Sequence, residues 1–266
     1  MKFTKMHGAG NDYIYINCFE EKVENPEQLS IKLSNRHFGI GSDGLVLILP
    51  SEKADCQMRM FNADGSEGEM CGNAIRCIGK YVYDHGIVSK TQISVDTKGG
   101  IKYLELYLEN QKVSSVKVDM GIPVLDSELP EAIEINDESL TFVGVDMGCP
   151  HAVYFVDDVN SLDLETVGSY YENHSRFPNR VNSDFVQIVT GKYVKMRVWE
   201  RGSGETLACG TGASATAVAC ILMGYTERTV EVELLGGILS ITWDEESDHL
   251  YMTGPAVEVY HGEIEI

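Results

Sequence analysis

Met58-Arg59-Met60-Phe61 and, much later, Met196-Arg197-Val198-Trp199 open two stretches that follow one pattern. Each runs from Met-Arg through a hydrophobic residue to an aromatic one, then crosses a polar, glycine-containing segment with a glutamate at the same offset, Glu67 and Glu205. Thirteen residues after the methionine each reaches Cys-Gly, at Cys71-Gly72 and Cys209-Gly210. Small or helix-compatible residues follow, Asn73-Ala74-Ile75-Arg76-Cys77-Ile78 and Thr211-Gly212-Ala213-Ser214-Ala215-Thr216. The pattern reads as strand, loop and helix, with a cysteine at the first turn of the helix.

Outward from this core the likeness continues. Ser42-Asp43 precedes the first copy as Ser183-Asp184 precedes the second. Gly99-Gly100-Ile101 matches Gly236-Gly237-Ile238, and Met120-Gly121-Ile122-Pro123 is echoed by Thr253-Gly254-Pro255. Matches that keep their order at a nearly constant offset, with the two cysteines 138 positions apart in 266 residues, imply an internal duplication. The expected halves are residues 1–120, carrying Cys71 and completed by about 255–266, and residues 121–254, carrying Cys209.

The remaining segments fill both halves with strands. Apolar runs predict strands over 1–6, 13–18, 45–49, 185–189 and 193–199, and further strands after Val230. Alternation around Gly99-Gly100 predicts hairpins over 93–118, and residues 142–156 read as strand, Gly-Cys-Pro-His turn and strand. Short helices are predicted over 26–35 and 162–169, and the proline-bearing stretch 123–130 is read as the connection between halves. Each half thus has many strands and one apolar helix, which is buried only if the sheet wraps it. The elements read here mix strands and helices in both halves, a class α/β (α+β).

Composition bounds the partners. With 21 basic and 41 acidic side chains the net charge is −20, which disfavours nucleic acid and anionic membranes. No apolar run is long enough to span a bilayer. The N-terminus enters a polar, glycine-rich loop directly, so no secretory signal is read there and a cytoplasmic location is expected. Seven cysteines, an odd number, fit reduced thiols rather than a disulfide framework. No Cys-x-x-Cys pair or His-rich cluster has zinc spacing, so no metal is expected. Cys18, Cys56, Cys77 and Cys220 lie in apolar settings and read as buried filler.

Two cysteines, each at a helix start, one per half, need a different explanation. A helix N-terminus favours the thiolate, and its open backbone amides are donors for an anion such as a carboxylate. Two such turns, facing each other across a cleft, would hold a substrate carboxylate and set a sulfur on either side of the neighbouring carbon. One sulfur, as thiolate, removes a proton; the other, as thiol, delivers one to the opposite face. The result is inversion at Cα. A cysteine hydrolase needs one such sulfur and leaves the symmetry unexplained.

Met70-Cys71-Gly72-Asn73-Ala74-Ile75-Arg76-Cys77 and Glu200-Arg201-Gly202-Ser203-Gly204-Glu205-Thr206-Leu207-Ala208-Cys209-Gly210-Thr211-Gly212 resemble the two signature motifs of the diaminopimelate epimerase family. The resemblance extends to Gly8-Ala9-Gly10-Asn11-Asp12, Gly39-Ile40-Gly41-Ser42-Asp43-Gly44, Phe61-Asn62-Ala63-Asp64-Gly65-Ser66, Gly148-Cys149-Pro150-His151 and Phe177-Pro178-Asn179-Arg180-Val181-Asn182. It implies interconversion of LL- and meso-diaminopimelate with no cofactor, and a fold of two pseudo-symmetric domains, each a β-barrel-like sheet around a central helix, with the site in the cleft between them. By position it implies Cys71 and Cys209 as the acid–base pair, and His151 and Glu200 as the groups that set their protonation. Gly72, Asn73, Gly210 and Thr211 would bind the reacting carboxylate. Asn11, Asn62, Asn182 and Arg201 would hold the distal amino-acid head, with Gly44, Cys149 and Glu200 also in contact with substrate. Tyr260 would lie in a homodimer contact.

One departure bears on substrate choice: Cys149 stands where the family usually has asparagine. A racemase of the same fold acting on histidine, glutamate or hydroxyproline is the nearer alternative, and Asn62, Asn182 and Arg201, needed for a second amino-acid head, argue against it. A non-catalytic amino-acid binding protein is the alternative of another class. It has no use for a cysteine at both helix starts.

Overall fold

The computed structural model describes residues 1–135 and 138–265. Ile266, the last residue of the segment expected to complete the first half, lies outside them. The chain divides into two compact units, Met1–Val118 with Gly254–Ile266, and Asp119–Thr253. In chain order the first unit contributes β1 (Lys2–Gly8), β2 (Asn11–Asn17), α1 (Pro26–Ser34), β3 (Gly44–Leu49), β4 (Cys56–Asn62), β5 (Glu67–Gly68), α2 (Gly72–Asp84), β6 (Gln92–Thr97), β7 (Gly100–Glu109) and β8 (Lys112–Gly121). Then follow β9 (Val124–Leu125), β10 (Glu131–Ile135), β11 (Glu138–Asp146), β12 (Pro150–Phe155), a 3₁₀ turn (Val159–Ser161), α3 (Leu164–Glu172), β13 (Asn182–Thr190), β14 (Tyr193–Glu200), β15 (Gly204–Glu205), α4 (Gly210–Leu222), β16 (Thr229–Leu234), β17 (Gly237–Trp243) and β18 (Leu250–Pro255). The last strand, β19 (Val257–Glu263), returns to the first unit beside β1.

Each unit builds its sheet by the same sequence of pairings. In the first, β19, β1 and β2 are antiparallel neighbours, β2 runs parallel to β3, β4 pairs antiparallel to β3 and parallel to β6, and β6, β7 and β8 continue antiparallel. In the second, β10, β11 and β12 are antiparallel, β12 is parallel to β13, β14 is antiparallel to β13 and parallel to β16, and β16, β17 and β18 finish antiparallel. A parallel step needs a crossover. The two steps in each unit are bridged by α1 and α2, and by α3 and α4.

The second helix of each pair is the buried one. In α2 every residue from Gly72 to Gly79 is buried, and in α4 burial is continuous from Gly212 to Cys220. A helix shielded all round must be small in section, and the alanines at 213, 215, 217 and 219 meet that need. The other helix covers the outer face. Leu29 and Leu33 of α1 pack on Ile14, Ile16, Leu45, Leu47 and Phe61, while Leu164 of α3 joins Phe142, Tyr154 and Phe185.

The repeated arginine and glutamate have a structural use. Arg59 Nε lies 2.7 Å from Glu67 Oε1, and Arg197 Nε 2.6 Å from Glu205 Oε1. Each pair ties a two-residue strand back to the preceding long one, Glu67 opposite Phe61 and Glu205 opposite Trp199. The chain thereby leaves in a fixed direction toward the cysteine. Residues 123–130 are not a plain connection, because Val124–Leu125 pairs with Val145 and Asp146 as β9. Strand β10 has only a weak signature in the sequence; its Glu-Ala-Ile-Glu-Ile alternation is short, and only Ile133 and Ile135 reach the core.

Candidate active site

In the first unit Cys71 is the N-cap of α2, in extended conformation, and its sulfur accepts from the amide of Ala74 at 3.5 Å. The thiol donates to Asn11 Oδ1 at 3.4 Å. Asn11 is held in turn: its amide nitrogen donates to Asp43 Oδ2 at 2.7 Å, which also takes the backbone amide of Asp12 at 3.0 Å. Lys5 and Arg36 neutralise Asp12, and Arg36 reaches Asp43 as well. Burial, together with the nearby Cys71 and Asp43, raises the Tyr13 hydroxyl well above its ordinary pKa and keeps it a neutral wall beside the sulfur. Beneath the turn, Arg76 is fully buried and donates to Gly72 O, Asn73 Oδ1 and Pro255 O. Asn73 therefore braces the helix start with its side chain. The amides of a helix's first turn point out of its N-terminus, and here that of Ala74 meets the Cys71 sulfur.

In the second unit Cys209 is the N-cap of α4, also extended, with its sulfur 3.4 Å from Thr211 Oγ1. Burial and then the carboxylates of Glu200 and Asp184 push the Cys209 thiol well above its usual pKa, so it keeps its proton. Glu200 is itself raised by burial, although Thr206 and Cys209 donate to it. His151, wholly buried, lies with Nδ1 2.7 Å from Asp184 Oδ2 and Nε2 3.0 Å from Thr211 Oγ1. Burial opposes its charge, but Asp184 overcomes that and raises the imidazole well above its ordinary value. Thr211 is the hub, touching the sulfurs of Cys209 and Cys149 and the ring of His151 through one hydroxyl.

The structure thus brings Asn11, Gly72 and Asn73 around Cys71, and Cys149, His151, Glu200, Gly210 and Thr211 around Cys209. Asn182 and Arg201 meet each other: Asn182 Oδ1 accepts from the Arg201 amide at 2.9 Å, and Asn182 Nδ2 donates to Pro150 O at 3.0 Å. The Arg201 side chain is exposed and donates to Asn179 O at 3.2 Å. Asn62 is exposed and donates to Ser66 Oγ at 3.0 Å. Gly44 lies in the β2–β3–β4 ladder, where a Cβ would stand 2.1 Å from Phe61 O, so this position offers a ligand no side chain. Tyr260 is on β19, half exposed, edge-on to Phe3. Among the described residues no group of three or more His, Cys, Asp or Glu is placed to hold a metal, and no helix is long and apolar enough to cross a membrane.

Asp43, Asp184, Tyr13 and Arg76 are site residues that sequence reasoning does not single out. For the two aspartates a signal exists, since Ser42-Asp43 and Ser183-Asp184 are matching members of the repeat. Each binds the residue that stands next to a site cysteine or its helix turn.

Comparison with solved proteins first defines the class. A phenazine biosynthesis protein from Bacillus anthracis superposes with a TM-score of 0.78 at 18% identity, covering 100% of this chain and 99% of that one. A probable proline racemase from Agrobacterium radiobacter gives 0.75 at 14%, covering 100% and 93%. At such identities the likeness is one of fold: this is a protein of the α+β class those structures share. Sequence goes further. The family model described as diaminopimelate epimerase matches residues 3–125 and 143–259, and the diaminopimelate epimerase of Acetivibrio thermocellus is 56% identical over 100% of this chain and 99% of its own. The chain belongs to the diaminopimelate epimerase family.

Proposed function

We propose that this chain is an isomerase that interconverts LL-2,6-diaminopimelate and meso-2,6-diaminopimelate by two-base proton transfer at Cα, in lysine and cell-wall precursor biosynthesis. The observation that carries the reading is the pair of cysteines, Cys71 and Cys209, each at the N-cap position of the buried helix of its unit. The first-turn amides of such a helix suit the carboxylate next to the reacting carbon. Because the reaction runs in both directions, each sulfur serves as base in one and as acid in the other. The raised pKa of Cys209 keeps it protonated, as the sulfur that delivers the proton must be, and Thr211 beside it is the group that favours its thiolate when the direction reverses. Arg201, exposed and tethered by one carbonyl, is free to turn its guanidinium to a distal carboxylate, with Asn182 fixing its backbone. Asn11 and Asn62 complete the distal contacts in this reading.

A cytoplasmic homodimer belongs to the same proposal. Val257, Val259 and Tyr260 are exposed along β19, an apolar strand face suited to a second copy. Sedimentation of Tyr260→Ala against the parent chain checks it.

The activity test is incubation of purified protein with LL-diaminopimelate followed by chiral chromatography. Appearance of the meso form to an equilibrium mixture is expected. No conversion, together with inversion of histidine, glutamate or hydroxyproline, would move the chain to a sister racemase.

A further inference from the structure

Cys149 takes no part in the internal repeat and none in the proton transfer proposed above, yet its setting is not that of filler. It lies partly exposed in the turn between β11 and β12. Its Sγ is 3.4 Å from His151 Nε2 and 3.5 Å from Thr211 Oγ1. His151 is anchored from the other side by Asp184, and the side chains of both are completely shielded from solvent. Carboxylate, imidazole and thiol in this order form the arrangement by which a base and its orienting partner activate a cysteine. Four of the other cysteines show the contrast. Burial pushes the thiols of Cys18 and Cys77 up to about 11 and those of Cys56 and Cys220 up to about 12.

We propose that Cys149 is a third functional sulfur of this protein, activated by the His151–Asp184 pair and open to covalent modification by small soft electrophiles. The groups facing it are His151 on β12, Asp184 on β13, and Thr211 on α4, with Glu200 and Cys209 behind them. Burial by itself would raise the Cys149 thiol, but the imidazole of His151 and the Thr211 hydroxyl outweigh it and bring the pKa below the ordinary value. In the modification the sulfur lone pair attacks the electrophilic carbon, the S–C bond forms as the bond to the leaving group breaks, and that group departs with its electron pair. The thiol proton is lost to solvent, and the His151 ring beside the sulfur steadies the anion that attacks. Thr211 Oγ1 is within hydrogen-bond reach of both Cys149 and Cys209, so an adduct on the first sulfur stands beside the second. Inhibition of epimerisation by the adduct rests on the role proposed for Cys209; the labelling of Cys149 does not.

The test is iodoacetamide alkylation of the native full-length protein from pH 6.5 to 9, with each cysteine followed by peptide mass spectrometry. An ordinary thiol with a pKa of about 8.5 alkylates about 25-fold faster at pH 9 than at pH 7. Cys149 is expected to rise clearly less steeply than that and to alkylate faster than such a thiol at pH 7, because His151 at 3.4 Å favours its thiolate. His151→Asn is expected to slow Cys149 alkylation at pH 7 at least tenfold while Cys77 and Cys220 stay unlabelled. If that variant unfolds, as labelling of Cys77 and Cys220 would reveal, the wild-type profile decides alone. A Cys149 rate that climbs with pH like that of a free thiol, or no labelling of Cys149 at pH 7, overturns the proposal. Failure of the protein to epimerise diaminopimelate while Cys149 labels as expected would count against the proposed function and leave this one standing.

Discussion

Replacing Asp184 with asparagine keeps the shape of the side chain and removes its charge. In the wild type Asp184 Oδ2 is 2.7 Å from His151 Nδ1, with neither side chain exposed, while Oδ1 is buried without a hydrogen-bond partner among the described residues. The amide of the Asp184→Asn variant can still accept from a neutral His151 through its carbonyl, but it cannot hold a buried imidazolium. Removing one member of a buried ion pair typically destabilises by about 3–5 kcal/mol. The pH dependence follows from the direction of the His151 shift. Its pKa in the folded protein lies well above its ordinary value of about 6.5. The stability it contributes is therefore complete below about pH 6.5 and is lost as pH rises through the raised folded value. Urea unfolding of Asp184→Asn against wild type is thus expected to show the full deficit at pH 6 and a smaller one near pH 9. A deficit under about 1 kcal/mol at pH 6, or one equal at both pH values, would refute a charged His151–Asp184 pair.

Gly212→Ala places a Cβ 2.6 Å from Asp184 Oδ1 and 2.8 Å from Met196 Cε. The methionine can yield but the carboxylate is pinned by His151, so a loss of about 1–3 kcal/mol is expected in the urea midpoint, and an unchanged midpoint would mean the α4 start is looser than described. Arg201→Ala is expected to lower kcat/KM for diaminopimelate by the equivalent of about 2–5 kcal/mol with little effect on unfolding, since its side chain is exposed and bonded only to Asn179 O among the described contacts. Near-normal kcat/KM would place the distal head elsewhere.

What sequence could and could not show follows from how far each contact reaches. The cysteine-capped helices were legible because strand, loop and helix signals lie within about twenty residues and occur twice. Helix α1 is marked by Leu29 and Leu33 four apart, but the parallel steps of the sheets are not legible, since no local pattern pairs β2 with β3 or β12 with β13. Arg76 was not legible as a buried group. An arginine near a helix start reads as a solvated charge, and its acceptor at Pro255 is 179 positions away. The His151–Asp184 pair depends on the parallel register that sets His151 opposite Asn182, which no local pattern encodes. Cys149 could be seen as a departure from the family, but its partner became visible only when the turn placed it against the ring of His151. Asn62 and Arg201 are both exposed, and it is their place in the family motifs, not packing, that marks them in the sequence.

The central claim is that two fixed sulfurs, Cys71 and Cys209, do the work of one inversion. A single base that removed and returned the proton would have to cross the substrate plane and could return the same hydrogen. With two sulfurs the removed proton stays on one while the delivered proton comes from the other, already exchanged with solvent. The direct measurement is epimerisation of LL-diaminopimelate in D2O, followed at early times by NMR or mass spectrometry in wild type, Cys71→Ala and Cys209→Ala. Early product should carry deuterium at the inverted carbon while recovered substrate stays protiated, and each variant should lose more than the roughly 10²–10⁴-fold typical of one acid–base group. Product that keeps its original hydrogen, or substantial epimerisation by either single-cysteine variant, contradicts the account.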